Sequence, residues 1–182
     1  MENDASSAGV NLGGLFGIAE IKILICYIFT TINEPIPANM LANLLHYEGI
    51  ANGFEVSDAI VSLVRSGHLV LHNKAEDTYM ITENGVNVAK TLQTSLSYTV
   101  KDRACAAAIK MLSRFKNAKD TEIKTVKENG ASYVVCSLLD GEKPFMSIKV
   151  MVTDEDQAHV IKESFLQDPA AIYKKLIEML TK

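Results

Sequence analysis

The sequence has no tryptophan, only three cysteines and no apolar run long enough to span a membrane. Cys26, Cys105 and Cys136 each lie among apolar or small residues, and none forms a C-x-x-C pair. An odd count argues against a full set of disulfides, and isolated cysteines in apolar surroundings are typical of buried thiols. We therefore expect three reduced cysteines and a protein of the cytoplasm.

Motifs of catalysis and of metal binding are missing as well. The chain has no G-x-S-x-G nucleophile elbow, no phosphate-binding loop that ends in Gly-Lys-Ser/Thr, and no H-E-x-x-H pair. Its four histidines stand apart from any cysteine or carboxylate cluster with the spacing of a zinc site. We expect a protein that is not an enzyme and that has neither a metal nor a cofactor.

The N-terminal part of the chain gives no sign of a membrane anchor. Residues 1–17 are small, polar and rich in glycine, and we expect them to be mobile. They are acidic where a secretory signal is basic. The next segment, IAEIKILICYIFTTI, has 15 residues and contains Glu20 and Lys22, whereas a membrane-spanning helix needs about 20 apolar residues. This pattern indicates a buried core helix and no membrane partner.

Residues 18–96 predict three helices, a β-hairpin and a fourth helix. Gly67 ends the third helix, two β-forming segments flank the polar tip NKAED, and Thr82 caps the fourth helix. The predicted helices span 18–32, 37–47, 54–66 and 83–96, and the predicted strands are HLVLH and TYMIT.

The remaining chain changes from helical to alternating periodicity. A long helix over 98–115 precedes three strands, and Asn129-Gly130 and Asp140-Gly141 are strong hairpin turns between them. Asp154 and Asp168 are N-caps for two final helices. The sequence therefore predicts an α+β fold with a first domain over residues 18–96. A second domain over 97–182 contains the long helix, an antiparallel three-stranded sheet and two C-terminal helices.

Two phrases make residues 21–92 resemble the winged helix-turn-helix domain of bacterial transcriptional regulators. In that superfamily L-x-x-x-G-x-[LI] closes the recognition helix, and here it is Leu63–Leu69. Y-x-[IL]-T-x-x-G closes the wing, and here it is Tyr79–Gly85. From residue 18 onward the chain is also similar to a bacterial domain-of-unknown-function family that joins a winged helix to a C-terminal α+β region. The resemblance implies a regulator-like role and brings no established chemistry.

If this domain binds DNA, the third helix and the wing supply the contacts. The candidate DNA-binding residues are Asn52, Ser57, Ser62, Arg65, His72, Asn73 and Lys74. A second candidate surface is a basic strip on the long helix: Lys101, Arg103, Lys110, Arg114 and Lys116. The strip is either a solvated helix face or a positive surface for the DNA backbone or an acidic partner.

The charge of the first domain opposes a simple DNA-binding interpretation. Residues 1–96 contain four basic and ten acidic residues, a net charge of −6 in a chain of −4. Glu55 and Asp58 share the third helix with Arg65, and carboxylates near phosphates lower DNA affinity.

Two hypotheses therefore remain open. The first is a transcriptional regulator that binds DNA as a homodimer, with the C-terminal domain for dimerisation or sensing. The second is a protein–protein interaction module on an acidic winged-helix scaffold, without DNA binding, in which the helix pair over residues 83–115 forms a dimer seam through its stripe of Ala104, Ala107 and Ala108. The sequence identifies no small-molecule ligand.

Overall fold

The computed structural model describes residues 10–11, 13–15 and 17–181. It confirms the α+β fold class: the described residues form seven α-helices and two three-stranded antiparallel sheets. The chain divides into two compact units, the first reaching to Met111 and the second starting at Leu112.

The first unit contains four complete helices, three short strands and most of a fifth helix. The elements are α1 (Ile18–Ile32), β1 (Ile36–Pro37), α2 (Ala38–Tyr47), α3 (Gly53–Arg65), β2 (Leu69–Asn73), β3 (Thr78–Ile81), α4 (Glu83–Leu92), a 3-10 helix (Gln93–Ser95) and α5 (Tyr98–Lys119). The sequence predicted only the two strands of the hairpin, whereas the sheet has three, in the order β1-β3-β2.

The extra strand, β1, comes from a segment that the sequence indicated only as a helix break. Ile36 pairs with Tyr79, and Pro37 pairs with Thr78. Pro37 has an extended backbone and precedes α2 as its N-cap residue. Because proline lacks an N–H group, it is compatible with the edge of a sheet but not with a central strand. A two-residue edge strand therefore joins α1 to α2.

The core of this unit is built on α1. Six of its side chains have no exposed surface, and α3, α4 and β3 contact this helix. These residues are Ile21, Leu24, Ile25, Cys26, Ile28 and Phe29. Desolvation raises the pKa of the Cys26 thiol to about 11, so this cysteine stays protonated and unreactive, as expected of a buried thiol.

Part of the predicted mobile segment is packed against the first unit. Residues 1–9, 12 and 16 of that segment lie outside the described part of the chain, as does Lys182. Leu15, however, is only 6% exposed, and its N–H donates to the Ile50 carbonyl over 2.7 Å. The N–H of Asn11 donates to the Gly49 carbonyl over 2.9 Å. A single buried leucine and two backbone hydrogen bonds are features that segment-wide composition does not predict.

The division between the units lies later than the predicted boundary at residues 96–98. Leu96, Val100, Ala104, Ala108 and Met111 all belong to the buried core of the first unit. The start of α5 therefore completes this core instead of opening a separate domain. The predicted alanine seam is corrected by the same observation, because Ala104 and Ala108 are fully buried within the unit.

The second unit follows the predicted order of strands and helices. Asp154 and Asp168 cap its two helices by accepting hydrogen bonds from Gln157 N and Ala171 N, and the first of these bonds lowers the pKa of Asp154. The elements are β4 (Thr121–Glu128), β5 (Ala131–Asp140), β6 (Lys143–Val152), α6 (Glu155–Gln167) and α7 (Pro169–Leu180), with the sheet order β4-β5-β6. Val134, Cys136, Leu138, Val152, Ala158 and Phe165 form its buried core.

Replacing Gly85 by alanine tests the close approach between α4 and the hairpin. A Cβ atom at Gly85 would lie well inside van der Waals contact with the His68 carbonyl oxygen, which is backbone and cannot rotate away. We expect Gly85→Ala to lower the free energy of unfolding by about 1–3 kcal/mol, the usual cost of overpacking. Denaturant titration measures this change.

Gly53→Ala is the matched control, because its Cβ atom would lie 3.4 Å from His46 Cβ, an ordinary contact. Gly53→Ala should change the free energy of unfolding by less than about 1 kcal/mol. Equal destabilisation by the two substitutions would contradict the close-approach explanation.

Candidate nucleic-acid interface

The start of α3 is fixed by Asn52, one of the predicted DNA contacts. The Asn52 side-chain oxygen accepts a hydrogen bond from Phe54 N at 2.9 Å, and the residue is only 5% exposed. An N-cap asparagine of this kind satisfies a backbone donor that the helix leaves unpaired. The prediction of an outward-facing Asn52 was therefore wrong, because α3 begins one residue earlier than predicted and Asn52 serves as its N-cap.

The turn between α2 and α3 is held by residues distant in sequence. The Arg103 guanidinium donates to the Glu48 carbonyl oxygen over 2.6 Å, and its Nη2 lies 3.9 Å from the Glu48 carboxylate. Gly49 has a φ of +62° and packs directly against Asn11. A residue with a side chain at this position would meet both a strained backbone and the Asn11 amide. The turn therefore presents α3 in one defined orientation.

The outward face of α3 combines polar and apolar groups. Phe54, Ser57, Asp58, Val61 and Arg65 are all exposed, at the spacing of a single helical face. The opposite face, which includes Val56, Ala59, Ile60 and Leu63, is buried. Phe54 and Val61 were not among the predicted contacts, although the spacing of the apolar residues that α3 buries leaves both on its outer side.

The remaining predicted contacts of α3 differ in exposure. Ser57 and Arg65 lie on the outward face, as predicted, and the Ser57 hydroxyl donates to the Gly53 carbonyl over 3.0 Å. Ser62 is half-buried. Two of the four predicted side chains on this helix are thus fully accessible to a ligand.

The hairpin formed by β2 and β3 presents the other three candidates. His72, Asn73 and Lys74 are exposed. His72 lies at a register shift between Leu71 and Asn73, and the Asn73 side chain accepts a hydrogen bond from Ala75 N at 2.9 Å. This bond shapes the tip, where His72 and Asn73 end β2 and Lys74 begins the turn.

Thr82 joins the hairpin to the end of α3. Its hydroxyl donates to the Gly67 carbonyl over 2.7 Å and accepts from Gly85 N at 3.3 Å. The residue that caps α4 thus also satisfies a carbonyl from the chain reversal after α3. Helix and hairpin are therefore fixed relative to each other by the two motif phrases seen in the sequence.

At least three of the five residues in the predicted basic strip are engaged by groups of the chain. Lys101 donates to the Gln93 carbonyl over 3.2 Å, Arg103 holds the turn before α3, and Arg114 pairs with Glu163. Lys110 and Lys116 are exposed. The strip therefore offers less positive surface than its composition indicates, because these contacts take up part of its charge.

The net charge of the first unit remains negative. Residues up to Met111 contain seven basic and eleven acidic residues, a net charge of −4. Because DNA affinity depends on cations that neutralise phosphates, any duplex contact has to come from local positive groups such as Arg65 and Lys74.

Neither a metal centre nor a membrane-spanning helix is found in the part of the chain that the structure describes. No group of three or more His, Cys, Asp or Glu side chains is arranged to hold a metal ion among these residues. None of their helices is both long enough and apolar enough to cross a membrane.

Comparison with known families accounts for most of the chain. Residues 21–180 match the family described as "Domain of unknown function (DUF4364)". The protein belongs to this family. The match includes the turn before α3, the hairpin and nearly all of the second unit. No curated protein and no solved structure is similar enough to the chain to match it.

Proposed function

We propose that the first unit is a winged-helix DNA-binding domain and that the protein is a cytoplasmic bacterial transcriptional regulator. The observation that carries this proposal is the order α1-β1-α2-α3-β2-β3 with the sheet order β1-β3-β2. This order sets a helix-turn-helix directly before a β-hairpin wing. In helix-turn-helix proteins the second helix of the motif enters the major groove.

In this proposal α3 is the recognition helix. A helix fits the major groove, which is about 12 Å wide. Arg65 is suited to a guanine edge or a phosphate, and Ser57 to a base edge or a phosphate, whereas the Asp58 carboxylate would repel nearby phosphates. Lys74 at the hairpin tip is suited to a phosphate of the adjacent backbone.

The second unit is proposed to join two copies of the chain. Its last helix, α7, carries four exposed apolar side chains, and Leu180 is 79% exposed. These side chains are Tyr173, Ile177, Met179 and Leu180. By their spacing, Tyr173, Ile177 and Leu180 fall on one face of the helix, and exposed apolar patches are typical of interaction sites. A homodimer would let two copies of α3 bind two half-sites, as dimeric helix-turn-helix proteins do.

A second candidate function is a protein–protein interaction module on the same scaffold. Its supporting observation is the pair of strongly exposed aromatic residues at the turn before α3, Tyr47 and Phe54. Aromatic side chains are enriched at the centres of protein interfaces. The net charge of the first unit, −4, also suits a basic protein partner better than a polyanion.

Asp58→Asn distinguishes the two candidates. If α3 faces phosphates, removing this carboxylate should raise the affinity for duplex DNA roughly 2- to 6-fold. The reason is that one negative charge fewer lowers the Coulomb repulsion from phosphates, which solvent and salt partly screen. Fluorescence polarisation with genomic duplex fragments at about 50 mM salt, where electrostatic attraction is strong, measures the affinity.

The matched control is Glu142→Gln, an equal change of charge at the exposed turn between β5 and β6. It should leave the affinity for DNA unchanged. If neither the natural protein nor either variant binds duplex DNA under these conditions, the DNA-binding proposal is eliminated in favour of the interaction module.

Leu180→Lys tests dimerisation through α7. A lysine is tolerated at a helix C-terminus by the helix dipole, but it would bring a charge into an apolar interface. We expect the natural protein to have the mass of a dimer in size-exclusion chromatography with light scattering, and Leu180→Lys to shift it towards a monomer.

Thr181→Lys is the control, since it adds the same charge at the neighbouring exposed position. It should remain dimeric. If the natural protein is a monomer at high concentration, or if both variants dissociate equally, α7 is not the dimer interface.

A further inference from the structure

A cavity of about 400 Å³ opens between α2 and the first turn of α3. Its volume lies within the usual range for small-molecule sites, about 300–1,000 Å³. Polar groups reach it from both helices: Asn39, Asn43 and His46 from α2, and Ser57 from α3. Among the described residues that line it there is no Lys, Arg, Asp or Glu.

The asparagine and serine side chains of the lining offer hydrogen-bonding groups that carry no charge. Asn39 Oδ1 accepts from Met40 N at 2.7 Å, which leaves the Asn39 amide nitrogen as a donor. Ser57 donates to the Gly53 carbonyl, so its oxygen remains an acceptor. Asn43, four residues after Asn39 and three before His46, carries both kinds of group on the same side of α2. A ligand here meets donors and acceptors, but no Lys, Arg, Asp or Glu side chain.

An aromatic ring stands at the edge of this cavity. Phe54 lines it and is 85% exposed, although a phenylalanine is normally among the most buried residues. Exposed aromatic rings beside polar groups are the stacking surfaces on which proteins bind single nucleobases. The cavity thus pairs a stacking surface with hydrogen-bonding groups.

We propose that this cavity binds an unpaired purine base, either in a free nucleoside or in a single nucleic-acid strand. A purine is planar, uncharged and edged with both donors and acceptors, and the amide of asparagine pairs in two places with adenine. A phosphate or carboxylate ligand would lose hydration without meeting a Lys or Arg side chain in the lining. Both α2 and α3 line this cavity, and binding of a base here does not require that the protein bind duplex DNA.

The test is an NMR titration of the isotope-labelled full chain, without duplex DNA. The probes are adenosine, adenosine monophosphate and a short single-stranded oligodeoxyadenylate. We expect the side-chain amides of Asn39 and Asn43 and the backbone amide of Phe54 to shift. Adenosine monophosphate should bind no more tightly than adenosine, because no Lys or Arg side chain lines the cavity to pair with its phosphate.

Each outcome decides between sources or overturns the proposal. Shifts with adenosine identify a nucleoside site, and shifts with the oligonucleotide alone identify a base within a strand. No shift at the lining residues with any probe would overturn the proposal. A clear preference for adenosine monophosphate over adenosine would overturn it too, because it would reveal a phosphate site.

Phe54→Leu separates stacking from simple apolar contact. It should weaken binding about tenfold, the effect of losing a stacked aromatic ring, while the exposed position leaves the fold and the melting temperature unchanged. Tyr98→Leu is the control, since Tyr98 is 78% exposed and does not line the cavity. Equal weakening by the two substitutions would contradict the assignment of Phe54.

Discussion

Burial of α1 is the constraint on which the first unit depends. Six of its fifteen side chains have no exposed surface, and α3, α4 and β3 all contact the helix. Each fully buried aliphatic or aromatic side chain contributes about 1.5–3 kcal/mol, so α1 supplies a large share of the apolar driving force. The same requirement explains why its sequence is apolar enough to resemble part of a membrane span. A helix enclosed by other elements is apolar on nearly all sides.

The turn between α2 and α3 is also held by several contacts with other parts of the first unit. The residues between α2 and α3 accept backbone hydrogen bonds from Asn11 and Leu15, and Arg103 binds the Glu48 carbonyl. None of these partners is close to the turn in sequence. Their combined effect is to hold the first turn of α3, with Phe54 and the nearby cavity, in a fixed position. A recognition helix and a ligand cavity both need such a rigid support.

Much of the fold could be predicted because its signals are local. The apolar periodicity of α1, the two hairpin turns with glycine and the capping by Thr82, Asp154 and Asp168 each depend on a few neighbouring residues. The α+β class follows from their order. The two-residue strand β1 could not be predicted, because Ile36 and Pro37 become a strand only through pairing with β3. The burial of Leu15 and the late division at Met111 likewise depend on packing between distant segments.

The candidate site was predictable in its elements but less so in its side chains. The exposed hairpin tip and Arg65 follow directly from the pattern of polar and apolar residues. Asn52 instead caps α3, and at least three residues of the basic strip have partners within the chain. Composition records that these polar groups are present, but their partners are set by the tertiary structure. Phe54 was missed because an aromatic residue at a helix start suggests burial, whereas the turn directs it outward.

The central claim is that α3 and the hairpin bind duplex DNA. Amide hydrogen exchange of the full chain, with and without a pool of genomic duplex fragments at about 50 mM salt, tests it most directly. The account predicts slower exchange over residues 53–65 and 69–81 when DNA is present, with little change over residues 121–152. Unchanged exchange in both of the first two ranges would contradict it, as would protection confined to the second unit.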